Sequence, residues 1–511
     1  MGQRSRQTRN DAGLETGALP ASSLPLATPR AVRRARVALM EAPPVARPRE
    51  IHPRRNIPRV PEGIDRPDLT PTPALAIAPP QPAAARAAGA RAADDLTLVK
   101  NVALGEAAGG FASNVGEPSV ASRGDVVFYT GNWYAALSTD GGATFRFIDP
   151  NTAFPDPPGL AFCCDQVVHY IRPLDAFVWL LQYVNPQDQF AANIQRLAFA
   201  RTADVAQGSW AVVDITPQNL GLPNVFLDFP DLAVGTNMLY VTMVGFLGND
   251  WTATVLVRMP LSGIDALLRG TGDATAQQTV SRENFTFRVA QHSTTRAFWA
   301  SHNTTSSLRL FSWPETAPQP TFRDVAVARW AERPFRSATP EEFDWLGRAD
   351  PRPLGATRRP GDELWFAWGS ARGGANDRPH PFVQIARIDA RGTTPVLREN
   401  INLWDPDAAT NYAALTTNSG GEVGASYMMG GPAMHPSHVV GILTGSQRFV
   451  VAGEGAHGPR DQEWGDYLTV RRHYGTTQRL FTAAGYTLDR GTGRQDGNPR
   501  FVQFGRSADV R

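Results

Sequence analysis

From about residue 96 onward the chain repeats one β unit seven times, and such a repeat leaves few folds open. Each unit opens with a short strand, passes a turn, runs into a strongly apolar strand and ends in a strand–turn–strand hairpin. "GEPSVASRGDVVFYTGNWYAALSTDGGATFRFID" is the first unit and "GDYLTVRRHYGTTQRLFTAAGYTLDRGTGRQDGNPRFVQFGR" the last. Units begin near residues 117, 165, 231, 288, 352, 412 and 466, a spacing somewhat above the ~40–50 residues of compact propeller repeats. Short runs of Val, Phe, Tyr and Trp bounded by Gly, Asp, Asn and Pro turns read as strands. Units of this size pack as four-stranded blades around a channel. The pattern therefore predicts an all-β fold, a β-propeller of seven blades, with six as the alternative because the third and fourth units are ragged. "TLVKNVAL" (97–104) is placed as a strand that closes the ring, and "LSGIDALLRG" (261–270) is the main helical pattern.

Residues 1–95 have a different texture, dense in Pro, Ala and Arg. Such a segment buries too little apolar surface to offset its ordering entropy, so it is predicted as a disordered leader ahead of a propeller at 96–511. "VRRARVALMEA" (32–42) is its one short helical pattern. The leader carries 15 Arg against 9 acids, which leaves the body at −4 within a total of +2. A faintly acidic body gives no footprint for nucleic acid. No run approaches the ~20 apolar residues of a membrane span. The start never becomes apolar enough for a secretory signal, so the cytoplasm is the default expectation, with another export route left open.

The first unit contains "STDGGATF": Ser138, Asp140, Gly142, Thr144 and Phe145. This resembles the Asp-box of sialidase-like (BNR-repeat) propellers. Asp140 suits the amides of its own turn, the glycines suit positive φ, and the aromatic packs back into the blade. A stretched version, Thr202, Asp204, Gly208 and Trp210, lies in the second unit. In the family the box is structural and lies away from the active site. The resemblance implies a propeller acting on or binding carbohydrate, as an exo-sialidase-like glycoside hydrolase would. Such an enzyme uses an arginine triad, a Tyr–Glu nucleophile pair and an aspartic acid. Its first arginine sits in an Arg-Ile/Leu-Pro motif; the nearest upstream match here is Arg59-Val60-Pro61, inside the leader.

In a propeller the first strand of each blade lines the channel, and its leading end meets one mouth, where ligands bind. Aligning the unit starts puts Glu117, Asp165, Asp231, Arg288, Arg352, Tyr412 and Asp466 at equivalent positions, with Arg348 and Asp350 close to Arg352. Asp165, Asp231, Asp466, Glu117 and Tyr467 are the candidate catalytic groups. A pair of carboxyls with raised and ordinary pKa values suits glycoside hydrolysis, and Tyr467 beside acids imitates a Tyr–carboxylate nucleophile. Arg288, Arg348, Arg352 and Tyr412 are candidates to hold a glycan or small anionic ligand. No cofactor is required, although Asp165, Asp231 and Asp466 also suit Ca²⁺. The competing reading is structural, each acid tying its blade to the next through an arginine. In that case the protein is a non-catalytic propeller that binds a protein partner. Trp133, Trp179, Trp365 and Trp368 lie in apolar strands and read as core.

"FCCDQVVHY" (162–170) holds both cysteines of the chain, Cys163 and Cys164. In a regular strand adjacent side chains point to opposite faces, so the two would be buried reduced thiols. A vicinal disulfide is the alternative, and it needs a sharply turned peptide.

Overall fold

The computed structural model describes residues 8–9, 14–26, 35–41, 55–64, 72–78, 95–104 and 113–510, apart from 189, 492, 494 and 495. It is a seven-bladed β-propeller, so the six-bladed alternative falls. The innermost strands are Ser119–Arg123, Ala161–Ile171, Phe226–Val234, Arg288–Val289, Pro353–Arg359, Ala409–Thr417 and Thr469–Arg472. Each heads an antiparallel four-stranded sheet, in sequence order in the first six blades. The fourth innermost strand has only two residues, which explains the ragged look of that unit. Leu96–Ala103 pairs antiparallel with Gly497–Arg506 and supplies the outer strand of blade seven, closing the ring as predicted. Leu261–Arg269 is the predicted helix, ended by Gly270 at φ 72°. No helix among the described residues is long and apolar enough to cross a membrane.

The core lies between neighbouring blades, where the large aromatics stack face to edge. Trp179 meets Phe128 of the preceding blade at 5.3 Å between ring centroids. Trp133, Trp179, Trp365 and Trp368 are all buried, as expected. Nearer the axis the blades crowd, and small residues are needed. A Cβ on Gly355 would lie 2.7 Å from the carbonyl of Ala413 in the next blade.

The leader departs from its composition. Its described stretches lie along the outer edges of the blades. Glu15–Ala18 pairs with blade four, Ala21–Pro25 with blade three and Ala35–Arg36 with blade two, and Met40 bridges to Phe147 of blade one. A return pass bridges Asn56 to Asp250 of blade three and bonds Leu75 to Trp404 of blade five. Ile77–Ala78 then pairs with blade six. The predicted helix at 32–42 is therefore replaced, over its described residues 35–41, by a strand and a bridge. Composition measures what a segment can bury by itself. It does not register the unpaired N–H and C=O groups that seven outer strands offer to an extended chain.

The turn at Ser138–Phe145 joins the outer two strands of blade one. Asp140 Oδ1 accepts the amides of Ala143 and Thr144 at 3.0 Å, and Ser138 Oγ accepts that of Gly142 at 2.8 Å. Gly141 and Gly142 have φ of 74° and 85°, and Phe145 packs on Phe501 at 5.7 Å. The hydrogen bonds from Thr144 and Ser138 hold the Asp140 carboxyl below the usual carboxylate range. In blade two the related stretch forms a short helical turn, Thr202–Val205, with Trp210 buried behind it. Asp140→Ala is expected to cost about 1 kcal/mol at neutral pH. Because the folded pKa is depressed, that contribution is present above the unfolded value and fades as pH falls through the folded one. Urea unfolding of both proteins at pH 7 and pH 3 should show the gap narrowing at the lower pH.

Candidate functional site

All seven innermost strands run the same way along the axis, so their leading ends converge on one mouth. Four residues there have left-handed backbones: Glu117 (φ 43°), Cys164 (57°), Phe229 (50°) and Tyr412 (59°). Such a residue breaks strand alternation and turns its neighbour toward the opening. The conformation costs about 1–2 kcal/mol outside glycine and must be held by its surroundings. The side chain of Asp228 accepts the amide of Phe229 at 3.0 Å, and that of Asn411 accepts the amide of Tyr412 at 2.7 Å. In blade two a covalent bond is present instead. Cys163 and Cys164 form a vicinal disulfide, and the strand register shifts between Phe162 and Gln166. The regular strand assumed for two reduced thiols is thus absent, and Cys164 lines the mouth beside Asp165. The intact mass of the unreduced protein should be lower by two hydrogens than after treatment with a phosphine reductant under denaturing conditions.

The mouth encloses a cavity of about 180 Å³. Five carboxylates reach it: Glu117, Asp165, Asp228, Asp350 and Asp466. Three of these are engaged by arginines. Asp350 holds Arg352 at 2.7 Å, and the far side of that guanidinium lies 3.6 Å from Asp466 and 3.4 Å over the Phe229 ring. Asp228 is held by Arg55 at 3.1 Å. Arg348, also in the wall, is paired with Glu463.

Asp165 and Glu117 are different. Among the described residues neither is ion-paired to an arginine, and both line the cavity. Burial, followed by the charges of Glu117, Asp228 and Asp466, raises the Asp165 pKa well above the usual range. Glu117 accepts bonds from Asn132 Nδ2 at 3.0 Å and from the Asp466 amide at 3.1 Å. Burial also lifts Asp466, to about 7, with Arg352 opposing and Glu117 reinforcing the shift.

The remaining sequence candidates lie elsewhere. Asp231 points down the channel, where it binds Arg288 at 2.7 Å and lies 3.7 Å from Arg471. It is not beside Asp165 and Asp466, and among the described residues no three carboxylate, histidine or cysteine groups are arranged to hold a metal ion. Tyr467 is buried in the core with its hydroxyl donating to the Gln166 carbonyl at 3.4 Å, and burial pushes its phenol pKa far up. Tyr412 is buried against Trp345 at 6.2 Å. Neither tyrosine lines the cavity. Arg288, Arg348 and Arg352, expected to hold an anion, each face a carboxylate of the protein itself.

Three charged wall residues escaped the sequence reading, Asp228, Arg55 and Arg333. Arg55 comes from the leader, donates from Nη1 to the Gly248 carbonyl at 2.8 Å and lies over Phe226 at 4.4 Å. Its side chain is only 3% exposed. Arg59, the match to the family's arginine motif, is exposed and outside the cavity. The leader does bring an arginine to the mouth, four residues earlier than the motif suggested.

No family model matches the chain, and no curated protein matches it. Solved structures similar to it include a protein of unknown function from Dyadobacter fermentans, at 8% identity and TM-score 0.41, covering 80% of this chain and 99% of that one. The α-L-arabinofuranosidase Arb93A of Fusarium graminearum is similar at 8% identity and TM-score 0.41, over 78% and 94% of the two chains. The sialidase of Trypanosoma rangeli is similar at 9% identity and TM-score 0.35, over 66% and 54%.

Proposed function

We propose that the acidic mouth is the active site of a glycoside hydrolase that releases a terminal, uncharged sugar unit. The observation that carries this reading is Asp165, a cavity-lining carboxyl with no arginine paired to it among the described residues, whose pKa is raised by burial and by the neighbouring Glu117, Asp228 and Asp466. Carboxyls driven apart in pKa are what glycosidic cleavage requires. The cavity of about 180 Å³ is smaller than the roughly 300–1,000 Å³ of drug-sized sites, which favours a single sugar ring over a long chain. The lining arginines Arg55, Arg348 and Arg333 face Asp228, Glu463 and Glu332, which argues for a neutral ring over a carboxylated one.

In this mechanism Asp165 gives its proton to the glycosidic oxygen as the bond to the anomeric carbon breaks. Asp466, in its ionised form, takes a proton from the water whose oxygen joins that carbon. Glu117, fixed by Asn132 and the Asp466 amide, orients the Asp165 proton and stabilises the charge that develops on the sugar. Asp466 must lose its proton to act, so kcat/KM should rise as pH passes about 7. It should fall again where Asp165 loses its proton. The test is the pH profile of sugar release from neutral aryl glycosides by wild type and Asp466→Asn. The variant should lose roughly 10²-fold in kcat/KM and its profile should lose the limb near pH 7. A non-catalytic, protein-binding propeller would give no release at any pH.

A further inference from the structure

The opposite mouth, where the innermost strands end, has the reverse electrostatic character. It opens into a cavity of about 910 Å³ whose lining contains Arg172, Arg358 and Arg472, with His169 and His292, and no aspartate or glutamate. Arg358 is paired with Asp362 at 2.5 Å. Arg472 donates to two backbone carbonyls, those of Thr417 at 2.9 Å and Asn418 at 3.1 Å, and lies over the Tyr474 ring at 5.9 Å. Among the described residues neither Arg472 nor the exposed Arg172 is ion-paired to a carboxylate, although Asp175 and Asp125 lie in an adjoining cavity that Arg172 also lines.

Arg471 lies at the base of this mouth, 7% exposed, sharing a crevice with His169, His292, Arg472 and Tyr474. Among the described residues its Nε and Nη2 have no hydrogen-bond partner, and Asp231 lies at an ion-pair distance of 3.7 Å from Nη2. Burial brings its pKa down to about 10, with Asp231 opposing and Arg288 reinforcing the shift, so the site holds this charge at a cost. A buried guanidinium with open donors, faced only by an Asp231 that Arg288 already holds at 2.7 Å, lies below two arginines without carboxylate partners among the described residues, so this pocket carries an excess of positive charge.

We propose that this mouth binds a small ligand carrying two or more phosphate groups. Guanidinium forks approaching from several blades match oxygens spread over tetrahedral groups, and the cavity has the size of a small-molecule site. The site is separate from the acidic mouth and does not depend on glycoside cleavage there.

Calorimetric titration of the full chain with inorganic tripolyphosphate tests this, with citrate as a carboxylate comparison. Saturable one-to-one binding is expected, weakened about tenfold by Arg472→Gln and by Arg172→Gln. Binding should weaken as salt rises and should be unaffected by Asp466→Asn at the other mouth. Arg172 is exposed, so its variant reports even if Arg472→Gln fails to fold. Absence of saturable binding, or binding unchanged by Arg172→Gln, would overturn the site. Citrate binding as tightly as tripolyphosphate would overturn its assignment to phosphate.

Discussion

Asp165→Asn should reduce kcat/KM on a cleavable glycoside by roughly 10²–10⁴-fold while leaving the fold intact, because the amide keeps the shape of the carboxyl and carries no transferable proton. The loss should fall on kcat more than on KM, since the proton is needed only as the bond breaks. Substrates whose leaving group departs without protonation should lose less, and that contrast separates loss of the acid from damage to the pocket. Circular dichroism matching wild type would complete the comparison.

A second large effect is expected on stability. Arg55→Met removes the cation that neutralises Asp228, whose side chain is 15% exposed, beside aromatic rings. Removing one partner of a buried ion pair costs about 3–5 kcal/mol, most of it from the charge left behind. Denaturant unfolding should show a loss of that order. The double variant Arg55→Met with Asp228→Leu should regain much of it, because the orphaned charge is gone. If the double variant is no more stable than the single one, Arg55 contributes through packing on Phe226 and Phe246 alone. Either way the leader is a wall of the acidic mouth as well as an edge strand. A propeller lacking residues 1–64 should lose that wall.

Architecture was legible in the sequence because blade structure is written in strand alternation and turn chemistry. The unit starts at 117, 165, 231, 288, 352, 412 and 466 all fall within a few residues of innermost strands. Site geometry was less legible, for one recurring reason. Strand alternation assigns faces only while the backbone stays extended, and it breaks at Cys164, Phe229 and Tyr412. At Phe229 the break brings Asp228 to the mouth and sends Asp231 down the channel. At Cys164 it permits the disulfide that alternation disfavoured. A signal was present: Asp228-Phe229 and Asn411-Tyr412 repeat an Asx–aromatic pair at matching places in two blades, and an Asx side chain suits capping a turned amide. Arg55 gave no such signal. Its position depends on edge pairing between the leader and distant blades, a long-range effect that local composition does not encode.

The central claim is that Asp165 in the acidic mouth carries a proton at neutral pH; without it the mouth is only a network of ion pairs binding the blades. Infrared difference spectroscopy of wild type minus Asp165→Asn at pH 7, with aspartate isotopically labelled, reads that proton directly and needs no substrate. A protonated-carboxyl C=O band that shifts with the label and vanishes in the variant is the predicted result. A difference spectrum containing only ionised carboxylate bands would contradict it.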